Sequence, residues 1–481
     1  MDIKSRVPIR PSTSDLWFLS YLPLAISDGI ATPLIPLLAL AQFGISAFDV
    51  TIIIAASAMS QVPFTILWGN LSDRVAHRKF FLVGSFLATG ASIVFIAISR
   101  DLFTYFWFNV IEGLASAASA PIGTMLLLET RHKRWWPQDI GLFGLISGIG
   151  TTVGLAVGFV WLFVIGFDQT GTAIVRVMQA LLVLSGGLAI LSAAIAWAWI
   201  EEPANRLERR ALADLINLHR GVLERVRHFR SRVLNVIDLT RTKAGPLPGR
   251  EILFLAALGV MTVGFDIFYG PFPVFLLQTA KLSDASVFIT YLGASAASTA
   301  LFFHSGKIVD SHSPKFVFLE SLGGRVLLML AFLWAPAYFL FGRGTPALVG
   351  WETLLNALMG VTWAFISTAS TLFLVRLVGR SSRGRALGLY NAIAGAGGLI
   401  GTLLGGWMFV TFGVNVAYSV AAVTVVFGAI LLGPIPFRTF VLSRSAVVPR
   451  PIRGARAVAR LPGPARPRHR TPAPRSRSRQ S

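Results

Sequence analysis

The sequence predicts an all-α integral membrane protein with twelve transmembrane helices in two pseudo-symmetric six-helix bundles, and three observations carry that expectation. Of 481 residues, 54% are hydrophobic and only 14% charged, against about 25% charged in a soluble domain. That leaves too little charge to coat a water-facing surface. The charged residues are bunched between apolar runs of the ~20 residues a spanning helix needs. The two halves of the chain also repeat each other's polar and glycine positions at a nearly constant offset.

Apolar runs fall near 16–41, 50–69, 80–99, 102–128, 140–166, 178–200, 251–278, 285–305, 317–341, 345–375, 386–411 and 414–434. Lipid offers the backbone no hydrogen bonds, so a run of this kind closes its own bonds as a helix. The short alternating segments of a membrane barrel are absent. The first run starts near Leu16, after the polar, basic stretch Met1 to Asp15. It contains Asp28 and has no A-x-A-like end, so it reads as a retained span rather than a cleaved signal.

Loop charge sets the orientation. With both termini on one side, that side holds 38 of the 43 Lys and Arg, and the opposite loops hold 4: Arg100, Arg176, Lys281 and Arg343. The bias survives removal of the central stretch and the tail. Both termini are therefore expected in the cytoplasm, with the chain in the plasma membrane. The organisation that follows is a cytoplasmic N-terminus (1–15), a first bundle (16–200), a linker (201–250), a second bundle (251–434) and a tail (435–481). Between Leu207 and Leu239 the linker spaces apolar residues helically among many Arg, as in an amphipathic helix on the inner leaflet. The tail, rich in Pro, Arg and Ser, cannot build a core. The formal charge of +21 reads as topological charge and not as a nucleic-acid footprint, since 12 of the basic residues follow Phe437 and most others sit in loops.

The repeat is specific in its positions. Asp28 and Pro33 recur as Asp266 and Pro271, Gly69 and Asp73 as Gly306 and Asp310, and Asn109 and Gly113 as Asn356 and Gly360. In the fifth and eleventh runs, Gly141, Gly150, Gly154 and Gly158 pair with Gly388, Gly397, Gly401 and Gly405. Two related halves around a shared mid-membrane cavity suit rocking between inward and outward access. Glycines four apart also allow close helix packing, and that structural reading stands beside a hinge role.

The stretch Gly69-Asn-Leu-Ser-Asp73-Arg74-Val-Ala-His77-Arg78-Lys79 resembles the cytoplasmic loop signature G-x-L-[AS]-D-[RK]-x-G-[RK]-[RK]-[RK] of the major facilitator superfamily, with Ala76 and His77 as departures. The resemblance covers about residues 14 to 435. It implies that Asp73 and Arg74, with Gly69 and Arg78, form a cytoplasmic gate at the start of span 11, and that Gly306, Lys307 and Asp310 form a second copy. A carboxylate is favoured at a helix N-terminus, which makes that contact physically sensible. Span 5 is similar to the family's antiporter signature, with Leu155 in place of its Pro and Phe159 in place of its last Gly. Span 4 reads Asn109-Val-Ile-Glu112-Gly113 where many proton-coupled members have R-x-x-x-G.

The resemblance further implies that spans 1, 4, 7 and 10 line the cavity. Asp28 and Asp266 then face each other across it as substrate- or proton-binding candidates, joined by Glu112, Asn109 and Asn356. An ionisable residue deep in a span is costly and marks function by default. Each also has a structural alternative: the acids bonded to helix unwound at Pro33 or Pro271, the asparagines bridging neighbouring helices. Glu320 and Arg325 read as interfacial residues near the inner start of span 9, and Glu352 as lying in the outer third of span 10.

The expected activity is secondary active transport of a small organic solute by a monomer, with proton-coupled export of a hydrophobic or amphipathic compound first. Symport or uniport uptake of a sugar, amino acid or organic acid is second. A membrane-embedded receptor or enzyme is the alternative from another class. The chain has no cysteine, no intramembrane histidine pair and no G-x-x-x-x-G-K-[ST]. Thiolate metal sites, haem ligation and P-loop hydrolysis are accordingly not expected, and neither is any metal or cofactor.

Overall fold

The computed structural model describes residues 17–72, 78–119, 122–123, 126, 136–166, 169–200, 249–333, 338, 340–378 and 383–435. Within these the chain runs from helix to helix. A 3-10 turn (Trp17–Ser20) leads into α1 (Tyr21–Phe43), followed by α2 (Ala47–Ser72), α3 (Arg78–Ile98), α4 (Leu102–Ser116), α5 (Trp136–Val164) and α6 (Thr172–Trp199). The second half holds α7 (Gly249–Tyr269), α8 (Asp284–Ser311), α9 (Pro314–Ala331) and α10 (Pro346–Leu377). The last helical stretch, Arg383–Leu431, is broken at Gly413 (φ 82°, ψ 169°) into α11 (383–412) and α12 (414–431).

Local chemistry explains the boundaries. Gly44 takes a left-handed conformation (φ 61°) and returns its N–H to Leu40 O at 3.0 Å, which ends α1. Asp101 caps α4, accepting from Thr104 N at 2.8 Å and Thr104 Oγ1 at 2.7 Å. Those bonds hold its carboxyl below the usual range, so the cap is complete at neutral pH and is lost as pH falls through that lowered pKa. Ser283 and Thr345 cap α8 and α10 in the same way. After Tyr269 the chain departs from α-helix at Gly270 and Pro271, then resumes through Phe272–Val274 and a π-helical turn (Phe275–Thr279).

Among the described residues, nine stretches are long and apolar enough to cross a membrane, the one from Ala386 to Leu431 counting once. In the fourth run, expected over 102–128, the helix is interrupted by a turn at Ala117 and Ala118 and the described residues 119, 122, 123 and 126 are helical again. Large apolar side chains point away from the protein on many helices, among them Phe103 (73% exposed) and Leu327 (69%). A water-soluble surface does not carry such a belt; the chain crosses a membrane many times.

Helix pairing repeats between the halves. In the first half α1 packs on α5 and α6, α3 on α4 and α6, and α2 on α4. In the second, α7 packs on α11 and α12, α8 and α9 pack on α10, and α9 meets the 383–431 stretch. Among the described residues the halves meet chiefly where α2 lies against α11 and α5 against α8.

Glycine sets how close these pairs come. A Cβ at Gly154 would collide with the Ile26 carbonyl of α1, and one at Gly401 with the Val263 carbonyl of α7. Gly150 and Gly397 repeat the arrangement one turn earlier, against Ala25 and Thr262. Gly158 differs from its repeat partner: it faces Phe288 across the α5–α8 seam, while Gly405 faces Ile267 of α7.

Several expectations fall outside the described residues: the gate residues Asp73 and Arg74, nearly all of the 201–250 linker, and the tail from 436. Gly69, Gly306 and Asp310 lie in the last turns of α2 and α8, which run on past the ends of their apolar runs, and Arg78 begins α3.

The packing makes opposite predictions for two glycines of α5. Gly154→Ala meets a backbone carbonyl that cannot give way and should destabilise by about 1–3 kcal/mol. Gly144→Ala meets nothing within 4 Å and should be neutral or stabilising through helix propensity. Thermal unfolding of the purified variants in detergent checks this; equal melting temperatures would refute the close-packing role.

Candidate functional site

Two cavities lie among the helices and share one residue, Thr32 of α1. The first, about 580 Å³, is walled by α1 to α4. Its polar lining comes from Asp28 and Thr32 on α1, Ser57 and Gln61 on α2, and Asn109, Glu112 and Ser116 on α4. No basic residue is among its described lining residues. Asp28 is exposed to this space. Helix α1 runs unbroken through Pro33 and Pro36, so the alternative in which Asp28 bonds to an unwound segment at Pro33 does not apply. Pro33 and Pro36 lack the N–H that would bond to Gly29 O and Thr32 O, and these two carbonyls lose their helical partners.

Glu112 is half-buried and accepts a hydrogen bond from Ser57 Oγ at 2.8 Å. Gly113, the next residue, lets α4 reach the Ser57 carbonyl, so the glycine brings the carboxylate to its donor. Gln61 Nε2 donates to Ser116 Oγ at 3.4 Å. Asn109 lines the cavity, but its Nδ2 donates to Tyr105 O of its own helix at 2.8 Å.

The second cavity, about 410 Å³, is framed by α5 and α7 to α11, with Gly29 and Thr32 of α1 at its edge. Its walls include Phe265, Tyr269, Tyr291, Met359 and Trp363, and its charged groups are Asp266 and Arg325. The Asp266 carboxylate lies against Gly398 of α11, where an added Cβ would sit 3.0 Å away. The backbone carbonyl of Asp266 accepts from Gly270 N at 2.9 Å just ahead of the helix break.

Asp28 and Glu112 are thus brought together, and Asp266 faces the neighbouring space. Asn356 is not among the residues lining either cavity. It is fully buried, accepts from Tyr269 OH at 3.2 Å and donates to Thr290 O at 2.9 Å. It therefore ties α7, α8 and α10 together, the bridging role weighed for it from sequence. Trp363 and Tyr269 line a cavity; Trp107 faces outward at 48% exposed, and Tyr390 bonds Ser370 at 2.9 Å.

Sequence reasoning misplaced Arg325. Expected at an interface, it is only 3% exposed and sits in the second cavity, with Phe265, Tyr269 and Trp363 around its guanidinium. An arginine in an otherwise apolar helix was the available signal, and its proximity to Glu320 in sequence obscured it. Glu320 is exposed on the helix. Glu352 is fully buried in α10, accepting from Tyr338 OH at 3.2 Å.

A family model described as Major Facilitator Superfamily matches residues 17–350. The quinolone resistance protein NorA of Staphylococcus aureus (strain MRSA252) is 22% identical over 143 residues, which span 30% of this chain and 36% of that protein's length. The fold is similar to a crystal structure of a mutant of the nucleoside transporter NupG, with TM-score 0.65 and 15% identity over 88% of this chain and 99% of that one. It is also similar to the inward open conformation of the xylose transporter XylE from E. coli, with TM-score 0.64 and 13% identity over 89% and 98%. At these identities the likeness speaks for the fold alone.

Asn356→Ala should lower stability by about 0.5–2 kcal/mol, since it breaks bonds to two other helices. Asn109→Ala, which removes an intrahelical bond, should cost less. Thermal unfolding in detergent separates the two, and the reverse order would refute the bridging role of Asn356.

Proposed function

The chain belongs to the Major Facilitator Superfamily, and we propose that it exports a small amphipathic organic solute by alternating access, in exchange for protons carried at Asp28 and Glu112. Secondary transport by a non-enzymatic membrane protein is the premise; the substrate class, the direction and the coupling are our reading. The observation that carries it is the cavity of about 580 Å³ holding both carboxylates with no basic residue among the described lining. Two ionised carboxylates in one such space repel each other, and a proton on either relieves the repulsion. Protonation from one side of the membrane and release to the other then biases which access is open.

On this reading the twelve spans form two six-helix bundles, 16–200 and 251–434, that rock about the α2–α11 and α5–α8 seams. Both termini are cytoplasmic, and the protein works as a monomer in the plasma membrane. Asp73 and Arg74, in the loop after α2, would gate the cytoplasmic end. Glycines within the halves favour rigid bundles, because they hold helix pairs at close range. The partial likeness to a quinolone resistance protein supports export, since removing a compound from the cell is a direct route to resistance. The aromatic walls of the second cavity, which adjoins the first at Thr32, suit an amphipathic body.

Uptake of an organic acid together with protons is a second reading, favoured by Arg325 in the second cavity. The direction of proton movement separates the two.

Reconstituted vesicles with a trapped pH dye, challenged with lipophilic cations, sugars, amino acids and organic acids, test the proposal. A compound-dependent proton flux is expected from the unaltered protein. It should be lost in Asp28→Asn while expression and membrane insertion persist. Counterflow of labelled solute with no proton flux for any compound would make this a uniporter or a carrier coupled to another ion, and Asp28 a structural residue.

A further inference from the structure

Resting on the transport reading above, we infer that the second cavity is a subsite for an aromatic solute with an anionic head, a carboxylate or its like, and that Arg325 takes that head.

The hydrogen bonding of Arg325 is incomplete. Its Nη1 donates to two neutral acceptors, Met359 O at 3.2 Å and Thr362 Oγ1 at 3.4 Å. Its Nε has no acceptor. The guanidinium carbon lies 4.7 Å from the ring centroid of Phe265 and 5.4 Å from those of Tyr269 and Trp363. The Phe265 and Trp363 rings hold the charge through their faces and accept no conventional hydrogen bond, while the Tyr269 hydroxyl also meets the guanidinium. Asp266 shares the cavity and attracts Arg325 electrostatically, yet among the described residues no carboxylate hydrogen-bonds the guanidinium directly; the Asp266 carboxylate lies against Gly398 on the α11 side. A guanidinium out of water with donor capacity unmet is costly, and a planar carboxylate is the group whose geometry matches its fork.

The rest of the space fits the rest of such a solute. Tyr291 joins Phe265, Tyr269 and Trp363 to offer aromatic walls. The volume of about 410 Å³ is within the roughly 300–1,000 Å³ of small-molecule sites. A cationic head in this cavity would meet the charge of Arg325. The specificity is therefore opposite in sign to that of the first cavity, where the carboxylates of Asp28 and Glu112 stand.

Three probes of one shape and different head charge test the inference: naphthoate, naphthylmethanol and naphthylmethylammonium, titrated by calorimetry into the full chain purified in detergent. Naphthoate should bind about tenfold or more tighter than the alcohol, with the ammonium weakest. Arg325→Gln should remove the advantage of naphthoate while the alcohol binds as before, and Arg325→Lys should keep part of it. The ranking in the unaltered protein is itself decisive, whether or not Arg325→Gln folds. Equal binding of the three, tightest binding of the ammonium, no binding of naphthoate, or an advantage that persists in Arg325→Gln would each overturn the inference. Proton flux without a carboxylate preference sinks this subsite and leaves transport standing; a carboxylate preference without flux of any solute does the reverse.

Discussion

In a solvent that offers no hydrogen bonds and no hydrophobic drive between apolar surfaces, helices hold together chiefly by close packing, and here that packing is concentrated where glycine lets backbones touch. Gly150 and Gly154 seat α5 on α1, and Gly397 and Gly401 seat α11 on α7. Gly113 seats α4 on α2 at Ser57, and Gly360 seats α10 on α8 at Ala294. At Gly113, Gly154, Gly360 and Gly401 a backbone carbonyl stands where a larger residue's Cβ would be, and at Gly150 and Gly397 the side chains of Ala25 and Thr262 do. The cavities are what remains between elements pinned in this way. Their walls are consequently set by the close contacts within each helix pair.

The same contacts organise the chemistry. By drawing α4 against α2, Gly113 brings Ser57 within hydrogen-bond reach of Glu112, and the cavity between them then includes Asp28 of α1. By drawing α11 against α7, Gly398 and Gly401 leave a smooth floor on which the Asp266 side chain rests. The two halves thus use the same packing for different electrostatics. One cavity is lined by two acids without a base; the other has one acid, one base and a cage of rings.

Much of the frame was legible in the sequence, because a spanning helix writes its length and its avoidance of charge directly into composition. The apolar runs ending near 411 and starting at 414 located the break that the structure places at Gly413. The paired glycines of the fifth and eleventh runs were read as close-packing positions, but which helices they meet, α1 and α8 for one and α7 for the other, was not written in them. Where a single position was asked to reveal its partner, the reading was weaker. Asn109 and Asn356 occupy matched positions, yet one bonds within its own helix and lines a cavity, while the other is buried as a three-helix tie. Asp28 and Asp266 likewise match, but Pro33 is absorbed in a continuous helix whereas Pro271 marks a break. Arg325 was misjudged for the same reason, since its surroundings come from α7 and α10.

The sequence by itself determined that this chain is helical, that it crosses a membrane repeatedly, that its halves are related and that it belongs with the facilitators, because each of these properties is local or periodic along the chain. Only the tertiary structure decided which polar side chains share a cavity, which are consumed in tying helices together and where the buried guanidinium stands. Those outcomes depend on the rotation of each helix about its axis and on contacts between residues up to hundreds of positions apart. Periodicity in one dimension carries no record of either.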